Sequence, residues 1–154
     1  MATRAYMPER ITQDVDILIH AEHEWRARAA LVAAGYRIEG EFSIGGFSVR
    51  GMAADEGAPP LDVLTSRAPW VEQALNQPGY DEAGLPVMPR PYLILLKLQA
   101  GHLRDLDDVQ RMLRDTPPEE RQAIRLLVAR YAPDGVEDYD ILVQLADIEF
   151  GAAP

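Results

Sequence analysis

Two aspartates one residue apart, Asp14 and Asp16, begin a run whose β-branched residues favour a strand. Because side chains alternate between the two faces of a strand, both carboxylates are expected to point the same way. Carboxylates that close together repel each other unless a cation lies between them, and a divalent metal bound by oxygen ligands is the usual solution. The alternative is that both acids are solvated at the end of a strand. The pair is therefore a candidate metal site.

A third acid, Asp62, lies in the short apolar run 61–64, which turn-forming residues flank on both sides. This pattern is typical of a strand. If that strand pairs beside the first, Asp62 would join Asp14 and Asp16 in a cluster of three carboxylates. Such a cluster suits two Mg²⁺ ions about 3.5–4 Å apart, which clamp phosphates and activate an attacking hydroxyl. The alternative is that Asp62 only begins a turn.

The only lysine of the chain, Lys97, lies in a nearly continuous apolar segment that begins at Pro91 and predicts a helix. A buried ammonium without a partner is costly, so something must compensate its charge. Lys97 would either reach the surface or a nearby acid, or it would meet a substrate phosphate. Arg104 is a candidate second phosphate ligand because its guanidinium binds phosphate bidentately. Asp105 is predicted to cap a helix that begins near residue 106, with Asp108 on the same face.

Four short motifs thus follow one another along the chain: Thr12-x-Asp14-x-Asp16, Leu61-Asp62-Val63, Lys97-x-x-Ala100 and Arg104-Asp105-x-x-Asp108. In this order and spacing they resemble the minimal nucleotidyltransferase superfamily, which is DNA polymerase beta-like. The most similar branch is the one that contains the AbiEii-type toxins. The resemblance extends from residue 1 to about residue 115, and the helical remainder is compatible with it.

The resemblance implies Mg²⁺-dependent transfer of a nucleotidyl group from an NTP to a hydroxyl or phosphate acceptor. The residues it implies are Asp14, Asp16 and Asp62 for metal; Thr12, Lys97 and Arg104 for the nucleotide; and Asp105 and Asp108 in support. Asp62 would also take the proton of the attacking hydroxyl, and Lys97 would neutralise charge that develops on the triphosphate. The acceptor would be a tRNA, a protein or a small molecule. A toxin of a toxin–antitoxin system, with an antitoxin partner, is the biological role that this branch implies.

One family motif is missing between Met1 and Asp14. In the superfamily, a Gly-Gly or Gly-Ser pair a short distance before Asp-x-Asp holds the nucleotide phosphates. Either the chain begins after that pair, or this member has lost its phosphate loop. A second hypothesis follows: the fold persists as a catalytically inactive interaction or antitoxin-like module with an empty metal site.

Composition limits the classes of function. The 154 residues carry 25 acidic and 15 basic side chains, for a net charge of −10, which disfavours broad contact with DNA or RNA backbones. Cysteine is absent, which excludes disulfides and thiolate metal sites. No apolar run approaches the ~20 residues that span a bilayer, so no membrane contact and a cytoplasmic location are expected. An exposed sheet edge covered by a second copy would give a homodimer.

The elements that would position these residues are strands first and helices later. The order strand, helix, hairpin, strand over residues 1–90 predicts an α/β (α+β) fold with a nucleotidyltransferase-like mixed sheet and flanking helices. Residues 91–154 are expected to form a C-terminal helical bundle that packs on the same core, as a single compact domain. The predicted helices comprise residues 22–34, 69–75, 91–100, 106–114, 118–132 and 136–150.

Two predictions concern the sheet in more detail. Gly45 and Gly46 are expected to be a two-residue hairpin turn between strands 36–44 and 47–52, the alternative being a phosphate cradle. The first helix is expected to face the sheet through its apolar residues at helical spacing. These are Trp25, Ala29, Val32 and Ala33.

Overall fold

The structure is a computed structural model that describes residues 5–6, 15–51 and 60–151. The described residues form two compact units. Residues 15–51 and 60–77 belong to the first, and residues 78–151 belong to the second together with Ala5 and Tyr6. The first unit carries the sheet and the second is mainly helical, so the predicted α/β class, with a mixed sheet followed by a helical region, is confirmed.

The sheet of the first unit has four strands in the order β1-β4-β3-β2. They are β1 (Val15–His20), β2 (Tyr36–Glu41), β3 (Gly46–Gly51) and β4 (Leu61–Ser66). The first strand runs parallel to β4, and the other neighbours are antiparallel. The two strands predicted to carry the aspartates are therefore neighbours.

One face of this sheet forms the hydrophobic core of the first unit. Phe47, Val49 and Val63 are at most 2 % exposed, and Leu31 of α1 (Glu24–Ala33) packs against them. The predicted contact face of α1 was wrong, since Trp25 and Val32 are exposed.

Polar contacts join the apolar contacts of Ala27 and Leu31 on the side of α1 that meets the sheet. Arg28 donates hydrogen bonds to Glu24 and Glu41, at 2.7 and 2.5 Å, and its guanidinium lies 4.1 Å from the centre of the Phe47 ring. The hydroxyl of Thr65 donates to Glu24 at 3.3 Å. Glu24 and Arg28 are one turn apart, so they hold their own side of the helix against the sheet.

The hairpin between β2 and β3 is present, but its turn differs from the predicted one. Residues 42–45 form the connection, and Gly46 is already the first residue of β3. Both glycines have positive φ, +100° at Gly45 and +116° at Gly46, which side-chain-bearing residues rarely adopt. A Cβ on Gly46 would also overlap the carbonyl oxygen of Val63 on the next strand. Close approach of the backbones therefore explains the glycine pair.

After the sheet comes a short helix, α2 (Val71–Asn76), which ends the first unit near Gln77. Trp70, Val71 and Ala74 are buried there. The second unit begins with a small antiparallel pair, β5 (Gly79–Tyr80) and β6 (Pro86–Val87).

Four helices complete the second unit, and they are α3 (Arg90–Ala100), α4 (Leu103–Leu113), α5 (Pro118–Tyr131) and α6 (Val136–Phe150). The helix α3 ends at Gly101, whose φ of +66° is the left-handed conformation that terminates helices. The start predicted for α4 was wrong by a turn. Its N-terminal cap is His102, and Asp105 lies inside the first turn and does not cap.

The core of the second unit combines apolar side chains with one buried arginine. Ile94, Leu95, Met112, Ile124 and Val128 have no exposed surface. The buried Arg121 donates hydrogen bonds to Asp147 at 2.6 Å and to the carbonyl oxygen of Leu113 at 2.7 Å. These bonds connect α5 with α6 and with the end of α4. Across the described ranges, no helix is both long and apolar enough to cross a bilayer.

Candidate functional site

Asp16 and Asp62 are the two predicted metal ligands that the described part of the first unit contains. They are register partners on the parallel strands β1 and β4. Partners in a parallel pair have side chains on the same face, and neighbouring strands lie only about 4.8 Å apart. The structure therefore brings Asp16 and Asp62 side by side. Asp16 is exposed and Asp62 is half-buried, so this carboxylate pair is accessible to solvent.

The pair lies on the face of the sheet opposite the Phe47 core. The β1–β4 register places Ile17 beside Val63, and Val63 belongs to that core. Asp16 and Asp62 occupy the alternate positions, which face the other way. On β4 the buried Val63 fixes the direction of Asp62, and on β1 Ile19, which packs against the same core, places Asp16 on the opposite face.

A hydroxyl extends this row and was missed by sequence reasoning. Ser48 of β3 is the register partner of Asp62 on its other side. Asp16, Asp62 and Ser48 are therefore a continuous polar row across three strands. The signal was available in the sequence, because Ser48 separates Phe47 from Val49 in an alternating strand pattern.

Thr12 and Asp14 lie outside the described residues. Their assignment to the nucleotide and the metal therefore stays a prediction, as does the cluster of three carboxylates. Within residues 5–6, 15–51 and 60–151, no group of three or more histidine or acidic side chains is arranged to hold a metal ion. Two of the three predicted ligands are thus adjacent, and the third is not described.

In the second unit, Lys97 of α3 forms two ion pairs with α4. Its Nζ donates to Asp105 Oδ1 at 2.7 Å and to Asp108 Oδ2 at 2.8 Å. The side chain of Lys97 is 13 % exposed and that of Asp108 only 2 %. The sequence had offered a structural ion pair as one explanation of this lysine, and the described contacts of its ammonium are of that kind.

Contacts within the cluster of Lys97, Asp105 and Asp108 favour the charged forms of its side chains. Burial alone lowers the pKa of Lys97, but the hydrogen bonds to Asp105 and Asp108 outweigh it and raise the pKa above its ordinary value. Burial alone raises the pKa of Asp105, whereas the bond from Lys97, its charge and the contact with His102 lower it below its ordinary value. Both groups are therefore ionised at neutral pH.

The other predicted site residues of the second unit are Asp105, Asp108 and Arg104, and all three lie on α4. Asp105 also contacts His102, with 3.0 Å between Asp105 Oδ2 and His102 Nδ1. Asp105 and Asp108 thus contact Lys97 directly, and their expected supporting role in a nucleotide site stays a prediction. Arg104, on the same helix, is exposed, so its guanidinium is accessible for the predicted contact with an anion.

Comparison with known proteins adds no identification to this geometry. No family model matches the chain, and no curated protein sequence is significantly similar to it.

Proposed function

We propose that the protein is a Mg²⁺-dependent nucleotidyltransferase that transfers a nucleotidyl group from an NTP to a hydroxyl or phosphate acceptor. The observation that carries this proposal is the register pairing of Asp16 with Asp62 on one accessible face of the sheet. Accessible carboxylates from neighbouring strands offer the oxygen ligands that Mg²⁺ prefers. The four-motif resemblance supplies the choice of reaction.

The aspartates would have separate tasks within this site. Asp16 and Asp62 fit a shared ion because neighbouring strands lie about 4.8 Å apart, and two carboxylates reaching from both sides can meet an ion between them. Asp14 is assigned to the same site by its spacing from Asp16 in the sequence. Asp62 would additionally accept the proton of the attacking hydroxyl. Magnesium, when bound, supplies charge neutralisation at the phosphates.

Thr12, Lys97 and Arg104 would contact the nucleotide in this proposal. The resemblance alone assigns Lys97 this role. Arg104 is exposed and would contribute a bidentate contact to phosphate. Substitution of each cation tests these roles separately from the carboxylates.

Calorimetric titration of the full chain with Mg²⁺ and an NTP tests the proposal. The wild type should bind, and Asp16→Asn and Asp62→Asn should each weaken binding by at least about 10–100-fold, the loss already seen when groups that merely orient metal ligands are removed. The matched control is Glu72→Gln, which removes one exposed negative charge from α2 in the same unit and should leave binding unchanged. Unchanged binding in both aspartate variants would refute the proposal.

Transfer itself is measured with an NTP labelled at its α-phosphate. Incubation with Mg²⁺ and a pool of tRNA or protein should move the label onto an acceptor, and Asp62→Asn should abolish the transfer. Circular dichroism of each variant shows whether the fold is retained. If the protein binds the nucleotide but transfers no label to any acceptor pool, the protein would be a nucleotide-binding protein and not an enzyme.

A second candidate is a catalytically inactive interaction module with the same fold. It is favoured by the state of Lys97, whose ammonium is bonded to two carboxylates and only 13 % exposed as a side chain. An ammonium already compensated in this way does not require a substrate phosphate. This candidate predicts that the wild type binds neither Mg²⁺ nor NTP in the same titration.

A further inference from the structure

The last helix, α6, carries apolar residues on two sides. Tyr139, Leu142 and Ala146 are buried in the core of the second unit. Ile141, Leu145 and Ile148 form a second stripe, and they are 46 %, 42 % and 81 % exposed. Their spacing of four and three residues places them on one face of the helix. A helix that is apolar on a solvent-facing side has surface available for another molecule.

This stripe borders a groove between α4 and α6, which we call the α4–α6 groove. Leu103 and Leu106 line it from α4, and Ile141, Leu142 and Leu145 line it from α6. Its volume is about 350 Å³, within the range of binding clefts, which is roughly 300–1,000 Å³. Leu103 is 86 % exposed, so the apolar wall of the groove continues to the surface.

Contacts between α4 and α6 close one end of the groove. Gln110 of α4 donates a hydrogen bond of 2.7 Å to Glu149 of α6. Farther along, the guanidinium of Arg114 lies 5.4 Å from the centre of the Phe150 ring. Leu103 and Asp138 line the groove near the first turns of their helices. The helices therefore run in the same direction, and the groove follows them.

The two charged residues that line the groove are both acidic, and one of them, Asp107 of α4, is paired with Arg111. The sequence of α6 contains five carboxylates and no cationic residue. Two of them, Asp140 and Asp147, pair with arginines of α5 and are directed away from the groove. Asp138 lines the groove, is exposed and has no ion pair within the described residues. An apolar groove with an acidic border is complementary to a helix that is apolar along one face and basic beside it.

We propose that the α4–α6 groove binds an amphipathic, basic helix of another protein. Apolar side chains of that helix, three or four residues apart, would enter between Leu103, Leu106 and Leu145, and flanking Lys or Arg residues would meet Asp138. A second copy of this chain is a poor occupant, because it would bring a like-charged α6 to the same border. The proposal is independent of the nucleotide chemistry assigned to the first unit.

The test uses a fluorescein-labelled peptide of leucine and lysine about five helical turns long, with its leucines along one face. Fluorescence anisotropy with the full chain should show saturable binding. Leu145→Asp should weaken that binding by at least about tenfold, or about 1.4 kcal/mol. Purely electrostatic attraction predicts the opposite sign, because the variant adds a negative charge that attracts the lysines.

Leu126→Asp is the matched control, because Leu126 is 60 % exposed on α5 and takes no part in the groove. It should bind like the wild type or slightly more tightly. Asp138→Asn should weaken binding severalfold, whereas Asp115→Asn, at an 82 % exposed side chain outside the groove, should not.

Three results would overturn the proposal. A scrambled peptide of equal charge without the leucine face could bind equally well, or Leu145→Asp could bind as tightly as Leu126→Asp. Sedimentation could also show a wild-type dimer that Leu145→Asp dissociates, in which case the groove would be covered by a second copy.

Discussion

Lys97 and Asp108 form an ion pair between α3 and α4 in which the carboxylate is almost fully buried. The distance from Lys97 Nζ to Asp108 Oδ2 is 2.8 Å, and Asp105 accepts a second bond from the same ammonium. Removing one partner of a buried pair leaves an uncompensated charge, which costs about 3–5 kcal/mol. We expect Lys97→Met to lower the free energy of unfolding by about that amount, measured by urea denaturation.

The control for this prediction is Arg67→Met, which removes a cation from an exposed position in the first unit. Its effect should stay within about 0.5 kcal/mol, as for most surface substitutions. A loss of similar size in both variants would show that the Lys97 cluster does not stabilise the fold. A large loss in Lys97→Met alone, with Mg-NTP binding unchanged, would assign the lysine a structural role only.

The same cluster makes stability depend on pH in a definite direction. The pKa of Asp105 is lowered, so its contribution to stability is present above the ordinary aspartate pKa of about 3.9 and is lost as pH falls through the lowered value. The pKa of Lys97 is raised, so its contribution is present below about 10.4 and is lost as pH rises through the raised value.

Asp105→Asn checks this pH dependence. The stability difference between wild type and this variant should be present at neutral pH and should shrink below about pH 4. Urea titrations across this range measure the difference directly. A difference that grows as the pH falls below about 4 would contradict the assigned ion pair, because a carboxyl with a raised pKa behaves that way.

Substitution of Gly46 and of Gly84 should distinguish backbone strain from steric overlap. Both have positive φ, +116° and +75°, but a Cβ on Gly46 meets the β4 backbone, whereas nothing lies within 4 Å of one on Gly84. Gly84→Ala should therefore cost only the conformational strain of about 1–2 kcal/mol. Gly46→Ala adds overpacking of about 1–3 kcal/mol. Thermal unfolding of both variants measures the difference, and equal losses would contradict the close approach of β3 and β4.

The two tryptophans should respond differently to substitution. Trp70 is 2 % exposed and Trp25 is 66 % exposed. Trp70→Ala should cost about 3–5 kcal/mol, as for other buried large aromatic residues. Trp25→Ala should cost no more than about 0.5 kcal/mol. Acrylamide quenching offers an independent check, since Trp25→Phe should remove the quenchable part of the emission. If that part remained instead, α1 would face the sheet through Trp25.

The sequence predicted the sheet better than it predicted the direction of α1. The β-branched residues of β1 and the short apolar run of β4 predicted two strands, and the register of these neighbouring strands places Asp16 beside Asp62. Ala27 and Leu31 of α1 pack against the sheet core, but the orientation of this helix also depends on Arg28 reaching Glu41 and Phe47, partners that lie 13 and 19 positions away. Helical periodicity cannot contain such contacts, so it favoured the exposed Trp25.

For the residues of the candidate site, too, some positions were predicted correctly from sequence and others were not. Asp62 was assigned from a strand pattern and lies where that pattern places it. A helix cap was one of the two interpretations of Asp105, the other being support of Lys97, and its carboxylate is occupied by Lys97 and His102. A carboxylate bound to Lys97 of α3 and to His102 at the start of its own helix is not available for the backbone amides of that helix.

The position of β1 at the edge of the four-stranded sheet has a consequence for motion. Asp16 lies on this outer strand, whereas Asp62 lies on β4, which has a neighbour on both sides. A ligand held by both carboxylates would fasten the outermost strand to the interior one. Binding of such a ligand would then slow hydrogen–deuterium exchange at the amides of Ile17 and Ile19. Exchange at these two amides would therefore report whether the carboxylate pair holds a ligand.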